Sequence, residues 1–242
     1  MSDQQEPAEQ APELQEPGER QREEPEAGLA VTVAALAPEV RRVHLAVLSR
    51  YAETGRPPTV DELARLVGGD GADPAAVLAE LTERDVVLVN GAGLVTSAYP
   101  FSTLPTAHRV RWEGGPEVYS MCAVDALGIS AMLDRPVVIS SAEPGTGIPV
   151  TVEVDGEAAV WDPPTTAVFI GKVEEGCGGT AAERVCGFVN FFTSPEVAEE
   201  WTRTRPEISG YVLEQDKALA YAIKQFGDLM RPGASEGPPA NE

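Results

Sequence analysis

The spacing of apolar residues switches from helical to alternating partway along the chain, and that switch divides it. Between residues 39 and 51, Val40, Val43, Leu45, Val47, Leu48 and Tyr51 recur at helical intervals and predict an amphipathic helix. Thr54-Gly55-Arg56-Pro57-Pro58 ends it. Thr59 and Glu62 make a capping box for a second, short helix carrying Leu63, Leu66 and Val67. Asp73 caps a third, with Pro74 at its first position and Val77, Leu78 and Leu81 facing inward. Alternation then predicts a hairpin: residues 86–89, an Asn90-Gly91 turn, and residues 94–96. Three helices followed by a hairpin form a winged-helix-like pattern.

Beyond residue 106 strands predominate. They are predicted at 109–112, 117–120, 137–141, 150–154, 167–173 and 185–192. A helix at 122–133 interrupts them, and Ser194-Pro195 opens another that runs through Trp201. A last helix covers roughly residues 213–229. The expectation is an α+β protein: a winged-helix-like domain at 38–105, then a mixed β-sheet and helix domain at 106–231. Residues 1–37 form an acidic N-terminal tail in which 30–36 are an apolar lead-in to the first helix. Residues 232–242 form a second, Pro- and Gly-rich tail.

Charge narrows the partners. The net charge is -21, and residues 1–28 hold nine acids against Arg20 and Arg22, the signature of a solvated, disordered segment. Between residues 40 and 105 six basic side chains face eight acidic ones, and the third helix offers only Arg84. A DNA-reading role, or a metal-responsive transcription factor, needs a basic face that this chain lacks. The helical module is therefore expected to be structural or substrate-covering, with no nucleic-acid partner. No run of about 18 apolar residues predicts a membrane span, and no basic-then-apolar start predicts a signal. Three cysteines in 242 residues do not make a disulfide framework, and free thiols fit a reducing cytoplasm.

The candidate chemistry lies in two strings. In residues 118–128, Cys122 and Asp125 stand at i and i+3, on one face of a helix. Cys122 falls where a strand gives way to that helix, and amides at a helix start stabilise a thiolate. Ala123, Val124, Ala126, Leu127 and Ile129 make the helix apolar nearly all round, so Asp125 is expected to be buried with a raised pKa, as a general acid requires. In residues 184–192, alternation places Cys186, Phe188, Asn190 and Phe192 on one strand face, and Gly187 leaves room beside the thiol. Either cysteine alone is more often a small core hydrophobe. Together with the acid they make a two-sulfur site for a soft metal, with a proton donor beside it. Cys177, in a Gly-rich loop, is an incidental thiol or a metal carrier. His44 and His108 lack metal-ligand spacing, and no glycine run matches a phosphate loop, so no cofactor is expected.

At these residues the chain resembles the organomercurial (alkylmercury) lyases of bacterial mercury resistance. Tyr119, Cys122, Ala123 and Asp125 match an aromatic-x-x-Cys-Ala-x-Asp segment. Ser140, Ser141, Thr146, Gly147, Pro149 and Val150 match a second stretch, and Cys186, Phe191, Phe192 and Trp201 a third. The resemblance implies that Cys122, Asp125 and Cys186 are catalytic: two thiolates hold the mercury while Asp125 protonates the carbon. It also implies an organomercurial substrate, small cellular thiols that extract the Hg(II) product, and a mercuric reductase downstream. The chain departs from the pattern at Met121, where a tryptophan is frequent, at Glu143, where some members have a third cysteine, and in its acidic extension. The alternative is a protein that sequesters mercury or copper on the same scaffold without bond cleavage; only the enzyme needs Asp125 as an acid.

Overall fold

The computed structural model describes residues 29–68, 73–173 and 185–231. Helix α1 (Leu29–Ala34) precedes α2 (Pro38–Thr54), α3 (Val60–Gly68) and α4 (Pro74–Glu83). Residues 29–37, assigned above to the tail, therefore hold a helix. Val33 and Leu36 are buried in the core, and the Leu29 amide donates to Gln225 Oε1 at 2.9 Å, fixing this segment to the far end of the chain.

Local signals set the helix ends. The Thr59 amide donates to Glu62 Oε2 at 2.8 Å while the Glu62 amide donates to Thr59 Oγ1 at 3.3 Å, closing the capping box. Asp73 Oδ1 accepts from the Ala75 amide at 3.0 Å, a cap worth about 1 kcal/mol. Helix α2 stops at Gly55, whose φ of 72° lets the chain turn back and its amide donate to the Tyr51 carbonyl.

The hairpin is β1 (Val87–Val89) and β2 (Val95–Ala98). Its turn is longer than the predicted Asn90-Gly91 pair. Asn90 Oδ1 accepts from the amides of Ala92 and Leu94, and the positive φ falls on Gly93. Strands β3 (Phe101–Ser102), β4 (Arg109–Arg111), β5 (Glu117–Ser120), β6 (Val137–Ala142), β7 (Pro149–Asp155) and β8 (Ala158–Asp162) continue the same antiparallel sheet in the order β1-β2-β3-β5-β4-β6-β7-β8. Alternate residues of β6 and β7 point inward, with Val137, Ile139, Val150, Val152 and Val154 buried.

A second antiparallel sheet has the order β10-β9-β11, from β9 (Ala167–Val173), β10 (Val189–Phe192) and β11 (Ile208–Leu213). Helices α5 (Ala123–Leu133), α6 (Pro195–Arg203) and α7 (Gln215–Phe226) complete the described elements. The last helix was expected from 213, but that residue ends β11, and Glu214 precedes the first turn. Helix α5 touches β5, β6, β7 and β10 and packs along α7. A Cβ on Gly128 would stand 2.3 Å from Phe226 Cδ2, so the two helices approach more closely there than any larger side chain permits.

The predicted strand at 185–192 divides in two. Cys186–Phe188 is one turn of 3₁₀ helix, closed by the Phe188 amide donating to the Val185 carbonyl at 2.8 Å, and β10 begins at Val189. Gly187 is a poor strand residue, and Asn190 Nδ2 donates to its carbonyl at 3.1 Å, giving the backbone a local partner in place of a ladder. Cys186 therefore does not share a strand face with Phe188, Asn190 and Phe192, and all four residues of β10 are buried.

Candidate active site

Cys122 is the N-cap of α5. Its backbone is extended, and Sγ accepts from the Asp125 amide at 3.4 Å, the place an oxygen usually takes at a helix start. The approach to it is pinned from across the sheet: the Pro100 carbonyl accepts from the Met121 amide at 3.1 Å and from Ser120 Oγ at 3.1 Å. Asp125 lies in the first turn at 5 % exposure, and its Oδ2 has no hydrogen-bond partner among the described residues. Burial pushes its carboxyl up to about 7, with hydrogen bonding from Cys122 opposing the rise. An acid apolar on both sides in sequence is thus buried in space and poised near neutrality.

Cys186 comes from the 3₁₀ turn and is half-buried. The Cys122 and Cys186 sulfurs and an Asp125 carboxylate oxygen all lie within 4.8 Å of one another, the one such cluster among the described residues. Three groups spread over residues 122–186 therefore come within reach of a single metal ion.

The state of Cys122 differs from the sequence expectation. One amide faces its sulfur, but burial outweighs it and pushes the thiol well above its ordinary value; hydrogen bonding to Cys186 and the nearby Asp125 add to the rise. Burial therefore favours the thiol form of Cys122 over the thiolate.

Tyr99 reaches the site without a sequence motif to mark it, and Tyr221 is within its electrostatic range. The Tyr99 hydroxyl lies 3.8 Å from Cys186 Sγ, and burial holds the phenol protonated, with the nearby Cys186 and Asp85 adding to the effect. Burial raises Tyr221, on α7, to about 12, with smaller contributions from Tyr211, Cys122 and Asp125. Met121 packs half-buried against the core.

Glu143 has a structural place. It is buried, and its carboxylate accepts from Thr146 Oγ1 at 2.6 Å, the Thr193 amide at 2.7 Å and Thr193 Oγ1 at 2.6 Å. Burial would raise its pKa, but these three bonds together hold it below the ordinary value. The carboxylate joins the β6–β7 loop of the large sheet to the residue after β10 in the small one. His108 is buried beside Phe191 with Nδ1 2.9 Å from Ser141 Oγ, and burial lowers it to about 4. His44 is buried on α2, lowered to about 4 by burial and then by Arg41. Neither imidazole is in the cluster, and Cys177 lies outside the described residues. A cavity of about 590 Å³ opens elsewhere, between Arg50, Pro57, Thr59, Val95, Thr103 and Tyr119, and does not include the thiols.

The alkylmercury lyase family model matches residues 101–227, a span that holds the two sulfurs and the acid. An alkylmercury lyase of Staphylococcus epidermidis is 32 % identical over 155 residues, 64 % of this chain and 69 % of the relative. One of Bacillus cereus is 30 % identical over 190 residues, 77 % of this chain and 80 % of the relative. Among solved structures, the mercury-bound form of MerB2 superposes with a TM-score of 0.64 at 21 % identity, covering 83 % of this chain and 95 % of that one, which establishes a shared fold. With half the chain inside the family model and relatives aligned over most of their length, the chain belongs to the alkylmercury lyase family, enzymes that cleave the carbon–mercury bond.

Proposed function

We propose that Cys122, Cys186 and Asp125 carry out protonolysis of an organomercurial R–Hg–X. The supporting observation is the convergence of two sulfurs and a buried carboxyl within 4.8 Å. Mercury prefers sulfur to nitrogen or oxygen donors, so two thiols capture it where neither histidine would. Cys122 displaces X, and its proton leaves as HX. Cys186 then adds its sulfur to the mercury and passes its proton to the site. Asp125 relays that proton to the carbon bound to mercury. The carbon–mercury bond breaks, its electron pair takes the proton, and the hydrocarbon R–H departs. Mercury remains as Hg(II) between the two thiolates, so that R–Hg–X and two thiols become R–H, HX and a dithiolate complex. Small thiols exchange the metal out, towards a mercuric reductase, and no resident cofactor takes part. A carboxyl raised to about 7 is half protonated near neutral pH, the condition for donating to a developing carbanion.

The segment 38–105 is assigned a winged-helix-like structural role within this reading. Its hairpin runs on into the large sheet through β3 and β5, and its last corner brings Tyr99 to the site. The test is benzene release from phenylmercury by the purified protein, with excess small thiol and a no-enzyme control. Multiple turnovers support the lyase mechanism. Tight mercury binding without benzene refutes it in favour of sequestration of the metal.

A further inference from the structure

The chain corner at Tyr99-Pro100, between β2 and β3, touches both halves of the site. The Pro100 carbonyl holds Ser120 and Met121, the two residues that lead into Cys122. One residue earlier, the Tyr99 hydroxyl stands 3.8 Å from Cys186 Sγ, a hydrogen-bond distance for an atom as large as sulfur. The Tyr99 amide in turn donates to the Val86 carbonyl at 3.4 Å, so the corner is anchored at the base of the hairpin. Cys122 follows a strand of the large sheet, β5, and Cys186 precedes a strand of the small one, β10. Cys186 also sits on a single 3₁₀ turn, closed by the Phe188 amide on the Val185 carbonyl, the Val189 amide on the Cys186 carbonyl and the Asn190 side chain on Gly187, none of which holds the sulfur. Its sulfur would swing about its χ1 unless something held it.

We infer that Tyr99 is the positioning residue for Cys186: its hydroxyl fixes the second sulfur opposite Cys122, so that both thiols meet the mercury of one substrate molecule. The inference rests on the lyase reading and names a residue outside the two thiols and the acid. A phenol suits the task because it accepts a hydrogen bond from a thiol and donates one to a thiolate. The contact therefore persists when Cys186 gives up its proton during the reaction. Tyr99 is 7 % exposed, so the hydroxyl is supplied by a side chain that packing already immobilises. Preorganisation of this kind matters because a displaced nucleophile loses rate steeply.

Tyr99→Phe removes the hydroxyl and keeps the ring. Two measurements read the result. The first is the Cys186 S–H stretching band, found as the Raman difference between the protein and its Cys186→Ser variant; losing the phenol acceptor moves it to higher frequency. The second is benzene release from phenylmercury, where kcat falls roughly five- to tenfold, the size of one neutral hydrogen bond, while the thermal midpoint stays at the wild-type value. Restoring the hydroxyl by the reverse substitution restores both. An S–H band unmoved in Tyr99→Phe, or wild-type kcat in that variant, overturns the inference. Should the wild-type protein itself release no benzene, the lyase mechanism fails, and the S–H band alone then decides whether Tyr99 holds Cys186.

Discussion

Asp125→Asn separates two consequences of one buried carboxyl, its effect on stability and its proposed role as an acid. The folded state raises this group from 3.8 to about 7. One pKa unit is 1.36 kcal/mol, so the shift corresponds to about 4 kcal/mol of differential stability. The sign follows from where the proton is held more tightly. Because the folded form retains it longer, the contribution is fully present below the unfolded value and is lost as pH rises through about 7. Asparagine has the same shape and no proton to lose. The wild-type protein should therefore lose stability relative to Asp125→Asn by about 3 kcal/mol between about pH 5 and pH 8. Urea unfolding of both proteins across that range measures it, with the linear extrapolation applied to each. In parallel, benzene release by the variant should fall roughly 10²- to 10⁴-fold, the usual loss for a general acid, and wild-type kcat should decline above about pH 7 as the carboxyl ionises. Parallel stability curves for the two proteins would show that Asp125 does not titrate in this window. Undiminished benzene release from Asp125→Asn would mean that the proton reaches carbon by another route.

Cys186→Ser should bring benzene release down to the no-enzyme rate with the urea midpoint nearly unchanged, since the sulfur is only half-buried and serine is close in shape; normal turnover would place the second thiol elsewhere, with Cys177 the remaining cysteine. Gly128→Val should destabilise the protein by about 1–3 kcal/mol through overpacking, because even a Cβ there stands 2.3 Å from Phe226 Cδ2; a thermal midpoint at the wild-type value would contradict the close α5–α7 approach. Glu143→Gln should cost about 1.5–3 kcal/mol by weakening charge-assisted bonds to Thr193 and Thr146. Because Glu143 is held below its ordinary value, the wild-type advantage should be present above about pH 4.5 and vanish as pH falls below it. Urea unfolding at two pH values checks both parts.

The parts of this molecule that were legible in its sequence are those whose causes are local. The Thr59–Glu62 box and the Asp73 and Ser194 caps depend on residues two or three apart, and each forms its expected bond. Asp125 is similar: a carboxyl with apolar residues at almost every helical neighbour can only be buried. The 3₁₀ turn at Cys186 escaped the strand pattern because one side chain, Asn190, reaches back to Gly187 and outcompetes a ladder that the β-branched residues would otherwise favour. Strand β11 escaped for the opposite reason. Gly210 weakens it in isolation, yet it pairs with Gly171 of β9, and a Cβ on either glycine would come within 2.6 Å of the Phe169 ring. That glycine is explicable only once its partner strand is known.

The same distinction separates the proposed reactive groups from what controls them. Cys122, Asp125 and Cys186 could be singled out by residue type, because sulfur and a buried acid have few other uses together. What decides their behaviour comes from elsewhere in the fold. The helix-start amide that favours a Cys122 thiolate is a local feature, but the burial that reverses it comes from sheets and helices distant in sequence. Tyr99 lies 87 residues from Cys186 and carries no motif, yet its hydroxyl stands 3.8 Å from that sulfur. Glu143 stitches the loop of one sheet to the end of a strand in the other, and so constrains how the element bearing Cys186 sits against the one bearing Cys122. Reactivity in this chain is written in residue types, whereas the spacing of the reactive atoms is set by contacts between the sheets. Substitutions that leave all three reactive groups intact can therefore still separate the sulfurs, and activity should be more sensitive to Tyr99 than to the helix caps that sequence marks more clearly.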